Sequence, residues 1–374
     1  MKIAIISQGR SHLINLARTI EKEKLADVVF YTMMPASRCA QFGYNGKVRS
    51  FLFPCGIFQV LIDKLPINPY RKSALRFHVR KLFDKLCSVF LKRCDVLIGL
   101  NGTAACSTKK AKTKFNAITI CDQGSSYIKT QEKVRKSYSN VDIPAEQTNF
   151  MISHYDTADY LMTACEYVRN SDIENGIKPE RILLNPYGVD IRQFAPTDKP
   201  TDGSFDVIMV GAWWKHKGCD KLAKACIDIL GVRLLHVGAV IDCELPDSPL
   251  FKHVDAVPEN ELHNYYRQAK VFAMPSLDEG FGLVLLQAAS CGLPIVYSSM
   301  TGGGEVKRLL NDNAYCLEIP NPLTPDSIAH AISQALVAHS QLPDGLRNQF
   351  IANVQNISWS SYAKRYVDII KSLS

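Results

Sequence analysis

Short apolar runs alternate with amphipathic stretches and polar turns along the whole of this 374-residue chain. Residues 2–7 read as a strand with an unbroken apolar middle, Ile3-Ala4-Ile5-Ile6, as burial on both faces requires. Residues 13–24 carry apolar side chains at Leu13, Leu16, Ala17 and Ile20, the spacing of a helix with one buried face. Residues 28–32 return to a strand pattern. Strand, turn, helix, strand is the opening of a doubly wound α/β domain. The same reading expects strands at 95–99, 117–121, 205–211, 233–237, 272–274 and 295–297, and helices at 283–290, 323–338 and 359–370. The polar, turn-rich stretch 196–204 reads as part of a linker.

Residues 60–93 have a different texture. Leu75, Val79, Leu82, Phe83, Leu86 and Phe90 recur at helical spacing, with Arg76, Arg80, Lys81 and Lys85 on other faces. A helix packed on its own sheet with a solvated face explains this. So does a basic surface resting on anionic lipid headgroups. Nucleic-acid binding is the weakest reading, because no aromatic stacking platform or zinc-ligand spacing accompanies the charge.

Composition sharpens the picture. Hydrophobic residues are 47% and charged residues 21%, enough for two domains with ordinary cores and against wholesale disorder. The net charge of +8 is unevenly distributed. Residues 1–150 hold 25 Lys and Arg against 10 Asp and Glu, so the first part is strongly basic and the rest acidic. A basic first domain points to an anionic partner. The opening residues are too short in apolar length for a signal peptide, and no run of 18 apolar residues occurs. Twelve scattered cysteines without a Cys-x-x-Cys pair fit reduced thiols in a cytoplasmic protein.

The candidate chemistry centres on residues 275–305. Gly280 and Gly282 flank Phe281 in a turn that can leave backbone amides bare. Leu283 opens a helix that Gly292-Leu293-Pro294 stops. A glycine-rich turn at a helix start presents unpaired N–H groups and the positive end of the helix dipole, which suit phosphate. Glu279 stands at its mouth, where a carboxylate can accept from sugar hydroxyls. Gln287 follows about two helical turns on, on roughly the same face. Thr301-Gly302-Gly303-Gly304-Glu305 offers further amides, with Gly303 the candidate to face a pyrophosphate.

This stretch resembles the signature of glycosyltransferase family 4. The family pattern is Glu-x7-Glu inside Glu-Gly-Phe-Gly-Leu-x-Leu-Leu-Glu-Ala, followed by Cys-Gly-x-Pro-(Val/Ile)-Val. The first Glu is Glu279 and the second is replaced by Gln287. The resemblance implies the GT-B fold, two Rossmann-like doubly wound α/β domains facing a central cleft, and retention of anomeric configuration. It implies that the first carboxylate holds the donor sugar and that position 287 holds the nucleotide ribose. Residues 179–190 are similar to the family's interdomain passage, ending Gly188-Val189-Asp190. This places an acceptor-binding domain at 1–187 and a nucleotide-sugar domain at 188–357, with a helix at 358–374 packing back on the first.

In Ala212-Trp213-Trp214-Lys215-His216-Lys217-Gly218, Lys217 matches the family's phosphate-binding lysine. Gly211 precedes this run at the end of its strand. Ala212 stands where the family has Arg, and Lys215 is a candidate for the missing positive charge. Similar proteins pass the nucleobase along the stretch that here holds Val257. The donor set is therefore Gly211, Lys215, Val257, Gly280, Phe281, Gly282, Leu283 and Gln287, with Glu279 and Lys217 as catalytic residues. On the first domain, Gly9 suggests close backbone approach. Arg10 and His12 follow on a loop that either meets a ligand or is simply solvated. Asp122 ends a strand, and Tyr127 stands where a subset of the family has His. It either bonds an acceptor or phosphate, or packs at the strand end.

The expected activity is transfer of a hexose-type sugar from a nucleotide diphosphate to an acceptor hydroxyl on a cell-surface glycan, lipopolysaccharide or polysaccharide, or lipid-linked acceptor. The absence of Asp-x-Asp suggests no metal and no other cofactor. Peripheral contact with anionic membrane is open, and no nucleic-acid partner is expected. A rival reading is a GT-B protein that binds a sugar nucleotide or glycan without catalysis, for which Gln287 and Ala212 speak. A dinucleotide oxidoreductase would need Gly-x-Gly-x-x-Gly after the first strand, and only Gly9 is there.

Overall fold

The computed structural model describes residues 1–139, 143–196, 205–312, 314–341 and 344–373. The linker expected at 196–204 therefore lies almost wholly outside the described residues. Among these residues, thirteen strands form two parallel sheets. The first contains β1 (Lys2–Ile6), β2 (Asp27–Thr32), β3 (Lys47–Ser50), β4 (Val96–Leu100), β5 (Ile118–Asp122), β6 (Tyr160–Thr163) and β7 (Ile182–Leu184). Their order is β3-β2-β1-β4-β5-β6-β7. The second contains β8 (Phe205–Val210), β9 (Leu234–Val237), β10 (Phe251–Val254), β11 (Ala269–Met274), β12 (Ile295–Tyr297) and β13 (Cys316–Glu318), in the order β10-β9-β8-β11-β12-β13.

Helices cover both faces of each sheet, so central strands such as Ile3-Ala4-Ile5-Ile6 are buried along their length. In both sheets the strand order reverses beside the first strand. Ile3 of β1 pairs with Val28 of β2 and Val96 of β4, and Val207 of β8 lies between Leu234 of β9 and Val271 of β11. At such a reversal the flanking connections diverge and open a crevice at the carboxyl ends of the strands. The loops after β1 and β8 carry Arg10 and Lys217 to these two crevices.

The chain passes between the domains twice, side by side. Val189 N–H donates to Ile357 O at 2.8 Å, and Trp359 N–H donates to Val189 O at 3.2 Å. A Cβ on Gly188 would stand 2.7 Å from Ser358 O, so a larger residue would force the two passages apart. The helix Trp359–Ser372 then returns to the first domain. There Arg365 Nε donates to Asn185 Oδ1 at 3.0 Å, and Tyr366 OH donates to Asp122 Oδ2 at 2.9 Å.

The basic segment forms two helices, Ile57–Lys64 and Pro69–Phe90. Of the six apolar residues read as one stripe, only Val79 and Phe83 are buried. Leu86 is half-buried, while Leu75, Leu82 and Phe90 are exposed. In the helix Ile57–Lys64 only Ile62 is buried, and Ile57, Phe58, Val60 and Leu61 face outward. No helix among the described residues is long and apolar enough to cross a membrane. All twelve cysteines are free thiols.

Candidate active site

The carboxyl edges of the two sheets face each other, and the glycine turn after β11 is pressed into the first domain. A Cβ on Gly280 would lie 1.8 Å from Gly124 O, so only glycine allows this approach. Three contacts from residues 165–167 hold the turn. The Cys165 thiol donates to Gly280 O at 2.9 Å, Tyr167 OH donates to Asp278 Oδ1 at 2.9 Å, and Glu166 N–H donates to Glu305 Oε1 at 3.0 Å. Sequence reading did not assign these residues to the site.

Gly282 has φ +85°, a backbone conformation that favours glycine, and a Cβ there would also displace the end of the Met274 side chain. It caps the helix Leu283–Ser290. Among the described residues the amides of Phe281, Gly282 and Leu283 have no protein acceptor. Beside them Lys217 Nζ pairs with a Glu279 carboxylate oxygen. Both side chains are about four-fifths buried, at 19% and 20% exposure. Burial pushes the Lys217 ammonium down from 10.5 to about 8, opposed in part by the nearby Asp278 carboxylate. A buried cation, a carboxylate and three free amides therefore meet at one helix start.

Gly211, at φ +132°, follows β8, and its carbonyl would lie 1.9 Å from a Cβ on Gly238. Val257 is half-buried in the loop after β10. Lys215 does not join Lys217. It is exposed and lines a separate cavity of about 590 Å³ with Lys136, Tyr138, Asp220 and Lys221. It stands at the start of the short turn Lys215–Lys217, away from the Lys217–Glu279 pair.

Gln287 is buried, with both ends of its amide engaged. Its Oε1 accepts from Tyr266 OH at 3.0 Å, and its Nε2 donates to Glu259 Oε1 at 3.4 Å. The other Glu259 oxygen pairs with Arg10 of the first domain. Arg10 thus bridges the cleft and is not free on a solvated loop. Glu259 carried no sequence signal beyond following Val257-Pro258.

Three expectations on the phosphate and acceptor side change, while the space beside Gly9 is open, with no protein atom within 4 Å of a Cβ there among the described residues. His12 is not on the loop. It begins the helix His12–Lys22, is 8% exposed, stacks on Tyr187 at 4.2 Å and bonds Asp122 Oδ1 at 2.6 Å. With Tyr366 on its second oxygen, Asp122 braces the domain junction and does not face the cleft. Gly303 N–H is taken by Thr301 Oγ1 at 3.2 Å, and Gly302 N–H by Phe281 O at 2.8 Å, so these amides are not bare. Of the two readings of Tyr127, packing at the strand end is the one observed, with its ring stacked on Tyr155 at 4.7 Å.

Two facing doubly wound domains with this junction define the GT-B fold. Residues 204–337, essentially the second sheet and its helices, match the family model described as Glycosyl transferases group 1. Among curated proteins the chain is 30% identical to D-inositol 3-phosphate glycosyltransferase of Segniliparus rotundus, over 46% of this chain and 47% of that one. It is 25% identical to the GPI3 subunit of phosphatidylinositol N-acetylglucosaminyltransferase of Saccharomyces cerevisiae, over 60% of this chain and 52% of that one. The chain spans about half the length of the curated relatives it matches. Among solved structures, sucrose-phosphate synthase of Thermosynechococcus elongatus superposes with a TM-score of 0.71 at 16% identity, covering 100% of this chain and 99% of that one. Anabaena Alr3699/HepE in complex with UDP and glucose superposes at 0.65 and 14% identity, with both chains covered fully.

Proposed function

We propose that this chain is a retaining glycosyltransferase of the Glu-x7-Glu type with Gln at the second position. It moves a hexose-type sugar from a nucleotide diphosphate to an acceptor hydroxyl. The observation that carries the reading is the Lys217–Glu279 pair beside the free amides of Phe281, Gly282 and Leu283. Breaking the bond from the anomeric carbon to phosphate leaves negative charge on the diphosphate. The ammonium and amides stabilise that charge where it develops. Glu279 accepts from donor-sugar hydroxyls. The acceptor oxygen bonds the anomeric carbon on the face the diphosphate leaves, and its proton passes to a departing phosphate oxygen. Among the described residues no carboxylate pair is recognisably placed for double displacement, which favours this front-face course. The chemistry needs no metal, in keeping with the absence of Asp-x-Asp.

The acceptor approaches from the basic first domain and is a glycan or a lipid-linked hydroxyl. The relative named for phosphatidylinositol supports the lipid-linked option, and the one named for D-inositol 3-phosphate supports a phosphorylated acceptor hydroxyl. Among the described residues, eleven of the seventeen exposed large apolar side chains lie between Leu52 and Phe90, a concentration that favours peripheral contact with anionic membrane from the cytoplasmic side. The non-catalytic reading gains from Gln287 and Ala212.

A thermal-shift panel of UDP-, GDP- and ADP-sugars, followed by transfer and hydrolysis assays, tests the proposal. A stabilising donor that is turned over, with turnover lost in Glu279→Ala, supports it. Binding without turnover supports the non-catalytic reading, and no shift with any donor removes both.

A further inference from the structure

In the donor reading, position 287 serves the nucleotide ribose, yet the Gln287 amide is already committed to Tyr266 and Glu259. Glu259 is differently placed. Its main chain is fixed, because its carbonyl accepts from Gln193 Nε2 at 2.8 Å. Its carboxylate is 41% exposed at the cleft and holds Gln287 on one oxygen and Arg10 on the other.

We propose that Glu259 accepts the ribose hydroxyls of the nucleotide donor, oriented by Gln287, and that Arg10 covers it until the donor arrives. The assignment rests on the donor reading above and names the group that completes it. A vicinal diol donates two hydrogen bonds, and a carboxylate offers two oxygens with lone pairs to spare. Bonds to an ionised acceptor are shorter and stronger than bonds to an amide oxygen. A Glu at 287 would set two carboxylates about a hydrogen bond apart, and such a pair resists double ionisation. An amide there donates to Glu259 instead. The change at 287 therefore moves the carboxylate from the helix to the loop after β10. Arg10 and the diol compete for one Glu259 oxygen, so donor entry opens this link between the domains.

Titration calorimetry of the full chain with UDP and with 2′,3′-dideoxy-UDP tests the assignment. Glu259→Gln should weaken UDP by about tenfold, the effect of uncharging a hydrogen-bond acceptor, and leave the dideoxy nucleotide unchanged. Arg10→Ala should leave UDP binding equal or tighten it by up to about fivefold, the scale of an exposed ion pair. Equal losses for both nucleotides in Glu259→Gln, or no loss for either, overturn the proposal. So does an Arg10→Ala variant that loses UDP but keeps dideoxy-UDP, since the diol would then sit on Arg10. If the wild type binds none of UDP, GDP and ADP, the donor reading falls and takes this one with it. Wild-type binding of UDP that Glu259→Gln does not alter removes this assignment alone.

Discussion

Gly280 and Gly124 approach so closely that a Cβ on the first would stand 1.8 Å from the carbonyl of the second. Two turns from different domains meet here backbone to backbone. Gly280→Ala must push them apart or bend the glycine turn, at a cost of about 1–3 kcal/mol typical of overpacking. It should lower the melting temperature and weaken diphosphate binding together. Gly304→Ala, three residues past Thr301 and with nothing within 4 Å of its Cβ, should change neither.

The state of Lys217 gives a pH prediction. Burial brings its ammonium down to about 8. It is charged below that pH and neutral above, so diphosphate affinity should fall as pH rises through about 8. Lys217→Met should bind weakly across the range and lack the inflection. An unchanged inflection in that variant would assign it to another group.

Asp172 gives a prediction on stability. Burial pushes its carboxyl from 3.8 up to about 7, opposed by the bond from Gln123 Nε2 at 3.1 Å, while Oδ2 has no partner. The folded state thus holds a proton that the unfolded chain releases near its ordinary value. Asp172's contribution to stability falls as pH rises from about 4 to about 7. Asp172→Asn should raise the melting temperature at pH 8 by an amount corresponding to roughly 1–3 kcal/mol, with little effect near pH 4. Thermal melts at the two pH values distinguish this from a pH-independent packing effect.

The uncovered helix Ile57–Lys64 makes the membrane reading testable. Phe53 is 80% exposed and Phe58 46% exposed. Changing both to Ser should cut partitioning onto phosphatidylglycerol vesicles by about tenfold or more and leave nucleotide binding intact. Equal partitioning of wild type and variant, or equal binding to neutral vesicles, would contradict it.

Much of the fold was legible because the strands of a doubly wound sheet are buried on both faces and read as apolar runs. Expected 2–7 became Lys2–Ile6, and the helix at 283–290 appears with the same bounds. The amphipathic segment was harder to read. A stripe at helical spacing does not say which of its residues find a partner, and only Val79 and Phe83 did. Glu279 could be read because the glycine turn between sheet and helix leaves a local pattern, and Lys217 because its turn resembles the family's. Lys215 could not be placed, because the aim of a side chain in a three-residue turn depends on what packs beside it.

By itself the sequence determined the buried strands, the glycine turn at the helix start and the carboxylate at its mouth, because apolar runs, turn chemistry and short spacings are local properties; Lys217 and the second facing domain were legible through the family resemblance. Only the tertiary structure decided that Gly280 seats on Gly124, that Asp122 is closed off by His12 and Tyr366, and that Gln287 answers to Glu259 and through it to Arg10. Arg10 and Glu259 are 249 positions apart, and no local pattern encodes a contact made only when two independently folded edges meet.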